Sequence, residues 1–229
     1  MSRRISCKTF DRTRRFVVDG LNWRGAARPY ALVVWGLLAG LVWIVLDLSR
    51  LSSVTDGVLL LKLCLLAILT VVAAIDARFG IIPDSLSGAL LVTGALNVLL
   101  TSSQAAGTLT ATSTELTGLM PELDAICSRA MEALIAVLCA ILLRVCYRFL
   151  RCRDGFGLGD VKFVGAAALW VGLPMLPLML IVAVFSAFGT IVLLRKQGGE
   201  LKGRDAIPFG PHLALGLWLT FLLGAEIST

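Results

Sequence analysis

Apolar runs close to bilayer-spanning length recur along this 229-residue chain, separated by short polar or basic stretches. Seven are read at about 30–48, 58–75, 85–101, 131–149, 160–174, 176–194 and 207–225. Lipid offers no partner for a free backbone amide, so each is expected to be helical. The fold class is therefore all-α, a polytopic transmembrane helical bundle. The fifth and sixth runs are the least separated. Residues 161 to 194 carry only Lys162 as a charge, and Pro174 and Pro177 supply the turn between them. The alternative is one long, kinked helix.

Charge decides between these. With seven spans and a cytoplasmic N-terminus, the basic residues collect on one side. They are Arg3, Arg4, Lys8, Arg12, Arg14, Arg15, Arg24 and Arg28 of the tail, Arg78 in "DARFGIIPD", Arg144, Arg148, Arg151, Arg153 and Lys162 around the fourth connection, and Arg195, Lys196, Lys202 and Arg204 in "RKQGGELKGRD". Of the 21 lysines and arginines only Arg50, Lys62 and Arg129 are left elsewhere, as the positive-inside rule asks. Merging runs five and six would send the last basic loop outward. The opposite face carries "TSSQAAGTLTATSTELTGLMPELDA", expected to be a flexible polar loop.

Composition agrees with this picture. The chain is 58% hydrophobic and 16% charged, against about 25% charged in soluble domains, and its mean hydropathy is +0.89. The net charge of +6 then reports membrane orientation, and no nucleic-acid partner is expected. The basic tail, with Phe10, Phe16 and Trp23, reads as an anchor on anionic lipid. It is too polar for a cleaved secretory signal. The six cysteines include no C-x-x-C pair, so neither a zinc site nor a disulfide framework is indicated. No metal or cofactor is expected.

Ionisable groups at membrane depth are expensive and are functional candidates by default. Three acids stand at the cytoplasmic lip: Asp76 ending the second run, Asp84 before the third, and Asp160 in "GFGLGDVKF" opening the fifth. Each has a plain structural use: Asp84 and Asp160 as helix caps, Asp76 as an ion-pair partner of Arg78 or a basic loop. Two facing aspartates also suit aspartic proteolysis, in which carboxylates held close share one proton. One partner takes a proton from the attacking water; the other donates to the peptide carbonyl oxygen. Gly157 and Gly159 would let backbone pass close to a substrate chain. Taken alone, G-x-G-D is a weak signal.

Three stretches together say more. "DARFGIIPDSLSG" (76–88), "GFGLGDVKFVGAAALWVG" (155–172) and "IPFGPHLALG" (207–216) resemble the signature segments of the type IV prepilin peptidases, which belong to the G-x-G-D membrane aspartyl proteases. The resemblance covers about residues 58 to 229. It implies that Asp76 and Asp160 are the catalytic pair. It implies too that Pro83 and Asp84 are the family's Pro-Asp pair, with Asp84 supporting, and that Lys162 is a charge partner at the site. Pro208, Gly210 and Pro211 match a last-helix motif, taken as packing or substrate access. His212 falls where that pattern demands none and reads as a core or boundary residue. The implied substrate is a prepilin or pseudopilin-like protein, cut after its basic leader at the cytoplasmic face of the inner membrane, its apolar helix staying in the bilayer.

Many such enzymes add an N-terminal zinc domain with paired C-x-x-C motifs and methylate the new N-terminus. That motif does not occur here. The departure argues against methyltransferase activity and points to a protease-only form, or one with a reduced methylation site. The expected organisation is a basic cytoplasmic tail (1–29), an extra helix with a short outer loop (30–57) and the protease domain (58–229). Presenilin-like proteases are a poorer match, since the first aspartate here follows Ile75 rather than a tyrosine, and the late motif is "IPFGP". From other classes, a small transporter using the aspartates as a relay would want acids near the midplane and a repeat. A catalytically silent pilus-assembly component would have no need of both aspartates and the motif glycines.

Overall fold

The computed structural model describes residues 42, 56–109, 119–151, 157–196 and 208–227. Between residues 56 and 227 the described chain forms six α-helices: α1 (Asp56–Phe79), α2 (Asp84–Leu109), α3 (Leu119–Arg151), α4 (Leu158–Val171), α5 (Leu176–Lys196) and α6 (Gly210–Ile227). Gly80 ends α1 because it takes φ 63°, a left-handed conformation costly for other residues, and returns its amide to Asp76 O at 2.8 Å. Three residues later the Pro83 carbonyl accepts the amides of Leu86 and Ser87 and starts α2. This tight reversal puts Asp76 and Asp84 at one end of an antiparallel pair.

α4 is the middle of the bundle. It packs against α2, α3 and α6, and every residue from Phe163 to Trp170 is buried. Trp170 Nε1 reaches across to the Leu90 carbonyl at 3.0 Å, lying in the space that Gly94 leaves open on α2. On its other edge Trp170 meets Phe221 of α6 edge to face, centroids 5.6 Å apart. α6 lies between α1, α5 and α4, and Gly216 admits the Met179 carbonyl of α5. Small residues at such crossings let backbones approach, which is how helices gain packing energy in lipid. The large apolar side chains left outside the bundle, among them Leu142, Leu143, Phe149 and Leu150 of α3 and Val184, Phe185 and Phe188 of α5, suit acyl chains.

Among the described residues four helices are long and apolar enough to cross a membrane: Leu59–Phe79, Asp84–Ser102, Leu123–Leu150 and Leu173–Lys196. Gly210–Gly224 is a shorter apolar helix, and α4 has 14 residues, about 21 Å, against a hydrocarbon core of about 30 Å. The all-helical bundle is as expected, but six of the seven runs correspond to described helices and two of those are short. The run at 30–48 lies outside the described residues. α4 tolerates its length because protein, not lipid, surrounds it. The break between the fifth and sixth runs is present: Gly172 takes φ 76°, and a 3₁₀ turn spans Leu173–Met175.

The polar stretch read as a loop is partly helical. α2 continues to Leu109 and α3 begins at Leu119. The hydroxyls there turn onto their own helix, Thr101 Oγ1 to Asn97 O at 2.8 Å and Ser102 Oγ to Leu99 O at 3.0 Å. Satisfied in this way, Ser and Thr need no loop.

Candidate active site

Asp76 belongs to the last turn of α1 and is 4% exposed. A carboxylate so placed must find donors, and its Oδ2 accepts the Gly210 amide at 2.6 Å, across 134 residues of chain. Gly210 is the first residue of α6, so the carboxylate sits at the positive end of that helix. A Cβ on Gly210 would lie 2.6–2.8 Å from Asp76 Oδ2, Cγ and Cβ. Only glycine fits.

Asp160 is the third residue of α4, and its Oδ2 accepts the Gly157 amide at 3.1 Å, closing the first turn of its own helix. Gly159 is packed against Ile82 of the α1–α2 reversal, where a Cβ would come within 3.1 Å of Ile82 Cβ. The motif's second glycine is therefore used to seat α4 on that reversal, where the sequence had suggested room for substrate. The charge of Asp160 in turn acts on Asp76. Arg144 of α3 adds a positive charge beside Asp160.

The remaining candidates fall outside the pair. Asp84 is the first residue of α2, and its carboxylate takes Lys162 Nζ at 2.6 Å instead of capping the helix. Both side chains are half exposed or more. Lys162, expected as a charge partner at the site, has Asp84 as that partner. It follows Asp160 by two positions, about 200° round the helix, and so faces the other way. Pro83 starts α2, while Pro208 precedes and Pro211 lies within the first turn of α6, flanking Gly210. His212 is fully buried, with Nδ1 2.9 Å from Ser186 Oγ of α5, in keeping with a core residue.

The arrangement is two carboxylates, each accepting an amide at a helix N-terminus, with the charge of Asp160 acting on Asp76. The profile of the type IV leader peptidase family matches residues 63–194, more than half of the chain. The chain belongs to that family. A prepilin leader peptidase/N-methyltransferase of Burkholderia pseudomallei (strain 1026b) is 28% identical over 169 residues, 74% of this chain and 48% of the relative. One from Dichelobacter nodosus is 38% identical over 82 residues, covering 36% and 27%. The leader peptidase HopD of Escherichia coli is 38% identical over 68 residues, covering 30% and 44%. The chain thus spans about half or less of the length of these relatives. No solved structure matches it.

As a type IV leader peptidase family member with four membrane-length helices, the protein is an integral membrane protein. Asp76, Pro83, Asp84, Gly157, Gly159, Asp160 and Lys162 lie within the family match, while Pro208, Gly210 and Pro211 lie beyond it. The Gly210 amide beneath Asp76 and the Arg144 charge beside Asp160 are the two features sequence reasoning missed. A glycine between two prolines was the only sign of the first.

Proposed function

We propose that this chain is an aspartic endopeptidase that removes the basic leader from prepilin or pseudopilin-like substrates, with its active site at the cytoplasmic face of the inner membrane. One observation supports the reading: Asp76 near the end of α1 lies within reach of the charge of Asp160 on α4, 84 positions on in the sequence. Membership of the type IV leader peptidase family supports the substrate class.

Water is the nucleophile. The ionised aspartate takes one water proton as the oxygen adds to the peptide carbonyl carbon. The protonated aspartate gives its proton to the carbonyl oxygen, forming a neutral diol. Collapse of the diol returns a proton through the pair to the leaving nitrogen as the C–N bond breaks. Asp84, Lys162, Pro83, Pro208 and Pro211 support the elements that carry the pair. The basic residues flanking the described helix ends, Arg78, Arg195 and Lys196, favour the cytoplasmic orientation. A relay in a transporter is served less well: Asp76 lies three residues from the end of α1 and Asp160 three into α4, away from any midplane. The proposal covers cleavage and not methyl transfer. The domain boundaries at 29/30 and 57/58 are proposed with it.

Membranes containing the protein, mixed with a prepilin-like substrate bearing a basic leader, test the reading. Mass spectrometry of the product should place the cut between the leader and the apolar helix. An uncut substrate, or a cut on the far side of that helix, would refute it.

A further inference from the structure

α3 and α4 run antiparallel and touch where Gly165 leaves room for Val137. Seven residues on from Val137 along α3 comes Arg144. Seven back from Gly165 along α4 comes Leu158, between the motif glycines. Seven residues are two turns, about 10 Å, so Arg144 keeps the inward direction of Val137 and reaches the level of the G-x-G-D turn. There its charge acts on Asp160. Its Nη1 is buried and has no hydrogen-bond partner among the described residues. A buried, unpaired guanidinium N–H is costly, and in a membrane span it marks a functional position.

The aspartates therefore differ in their surroundings. Asp76 has an amide, a helix end and the charge of Asp160; Asp160 has an amide, a helix end and the charge of Arg144. We propose that Arg144 is the positioning residue of this pair, holding Asp160 as the anion that activates water and leaving the shared proton on Asp76, which donates to the carbonyl oxygen. This rests on the proteolytic reading above. Of the other charged groups on the elements around Asp160, Asp76 on α1 is the partner, Asp84 on α2 and Lys162 on α4 hold each other, Arg78 on α1 and Arg148 on α3 have interactions of their own, His212 on α6 is buried against Ser186, and Arg195 and Lys196 are exposed in the last turn of α5. Anchoring on the cytoplasmic side, the ordinary use of such an arginine, requires no charge at Asp160.

The test compares wild type with Arg144→Gln and Arg144→Lys, using the leader-cleavage assay over a pH series. Removing a cation beside a carboxylate pair makes both of its proton losses harder. In Arg144→Gln, both limbs of the pH–rate profile should move up by about one unit. Its kcat should fall at least tenfold at the wild-type optimum, with KM within about twofold. Arg144→Lys should keep the wild-type limbs and recover most of the rate. An Arg144→Gln profile with unmoved limbs overturns the inference, as does a lysine variant no better than glutamine. If the glutamine variant does not accumulate, Arg144→Lys decides alone, since an accumulated lysine variant that does not cut contradicts positioning by charge. Asp76→Asn and Asp160→Asn run alongside: if they still cut, the proteolytic reading itself has failed, whatever Arg144 does.

Discussion

Asp76 Oδ2 and the Gly210 amide lie 2.6 Å apart, joining the end of α1 to the start of α6. The contact fixes a buried carboxylate at a helix N-terminus and leaves no room for a side chain at residue 210. The last-helix motif thus has a use more specific than packing: it holds one member of the pair.

Gly210→Ala should therefore reduce leader cleavage about a hundredfold or more, the scale of a displaced catalytic group. Accumulation in the membrane should stay near wild type. The measurement is initial rate per amount of protein. Because the methyl group would meet Asp76 itself, shortening a neighbouring side chain should not restore activity.

The Asp84–Lys162 pair predicts the opposite. At 74% and 50% side-chain exposure a 2.6 Å ion pair is screened by solvent and worth at most a few tenths of a kcal/mol. Asp84→Asn and Lys162→Ala should each keep cleavage within about threefold. A double-mutant cycle on thermal stability in detergent should give a coupling energy close to zero. Loss of activity in both single variants would return Lys162 to the site.

Much of this was legible in the sequence. The helices were readable because uninterrupted apolar runs leave the backbone no other partner, and the break at Pro174 because two prolines flank Met175 and Leu176. Asp76 and Asp160 were conspicuous as charges in apolar surroundings. What could not be read was who meets whom. Lys162 stands two positions from Asp160 yet turns to Asp84, 78 residues away, while the charge acting on Asp160 is that of Arg144, sixteen positions upstream. Adjacency in sequence does not name the partner, because a helix turns consecutive residues by about 100°. The start of the long polar segment is helical for another reason: the Thr101 and Ser102 hydroxyls bond to their own helix.

At the far end of α4, Glu132 Oε2 accepts the Leu173 amide at 2.8 Å and lies 3.4 Å from Arg129 Nη1. It caps the 3₁₀ turn where α4 gives way to α5. Glu132→Ala should destabilise the protein by about 1–2 kcal/mol, the scale of a lost cap. It should lower the melting temperature in detergent while leaving KM and the pH optimum unchanged.

The proposed orientation makes two positions distinguishable. Ser85 and Pro174 are both exposed, at opposite ends of the bundle. In a cysteine-free background, Ser85→Cys should react with a membrane-impermeant maleimide only from the cytoplasmic side. Pro174→Cys should react only from the other. The reverse pattern would invert the topology.

The most direct measurement is cleavage of a prepilin-like substrate by Asp76→Asn and Asp160→Asn in membranes. Asparagine keeps the size of aspartate but cannot share its proton. Each substitution alone should abolish detectable cleavage at wild-type abundance. Cleavage retained by either variant would contradict the two-aspartate account.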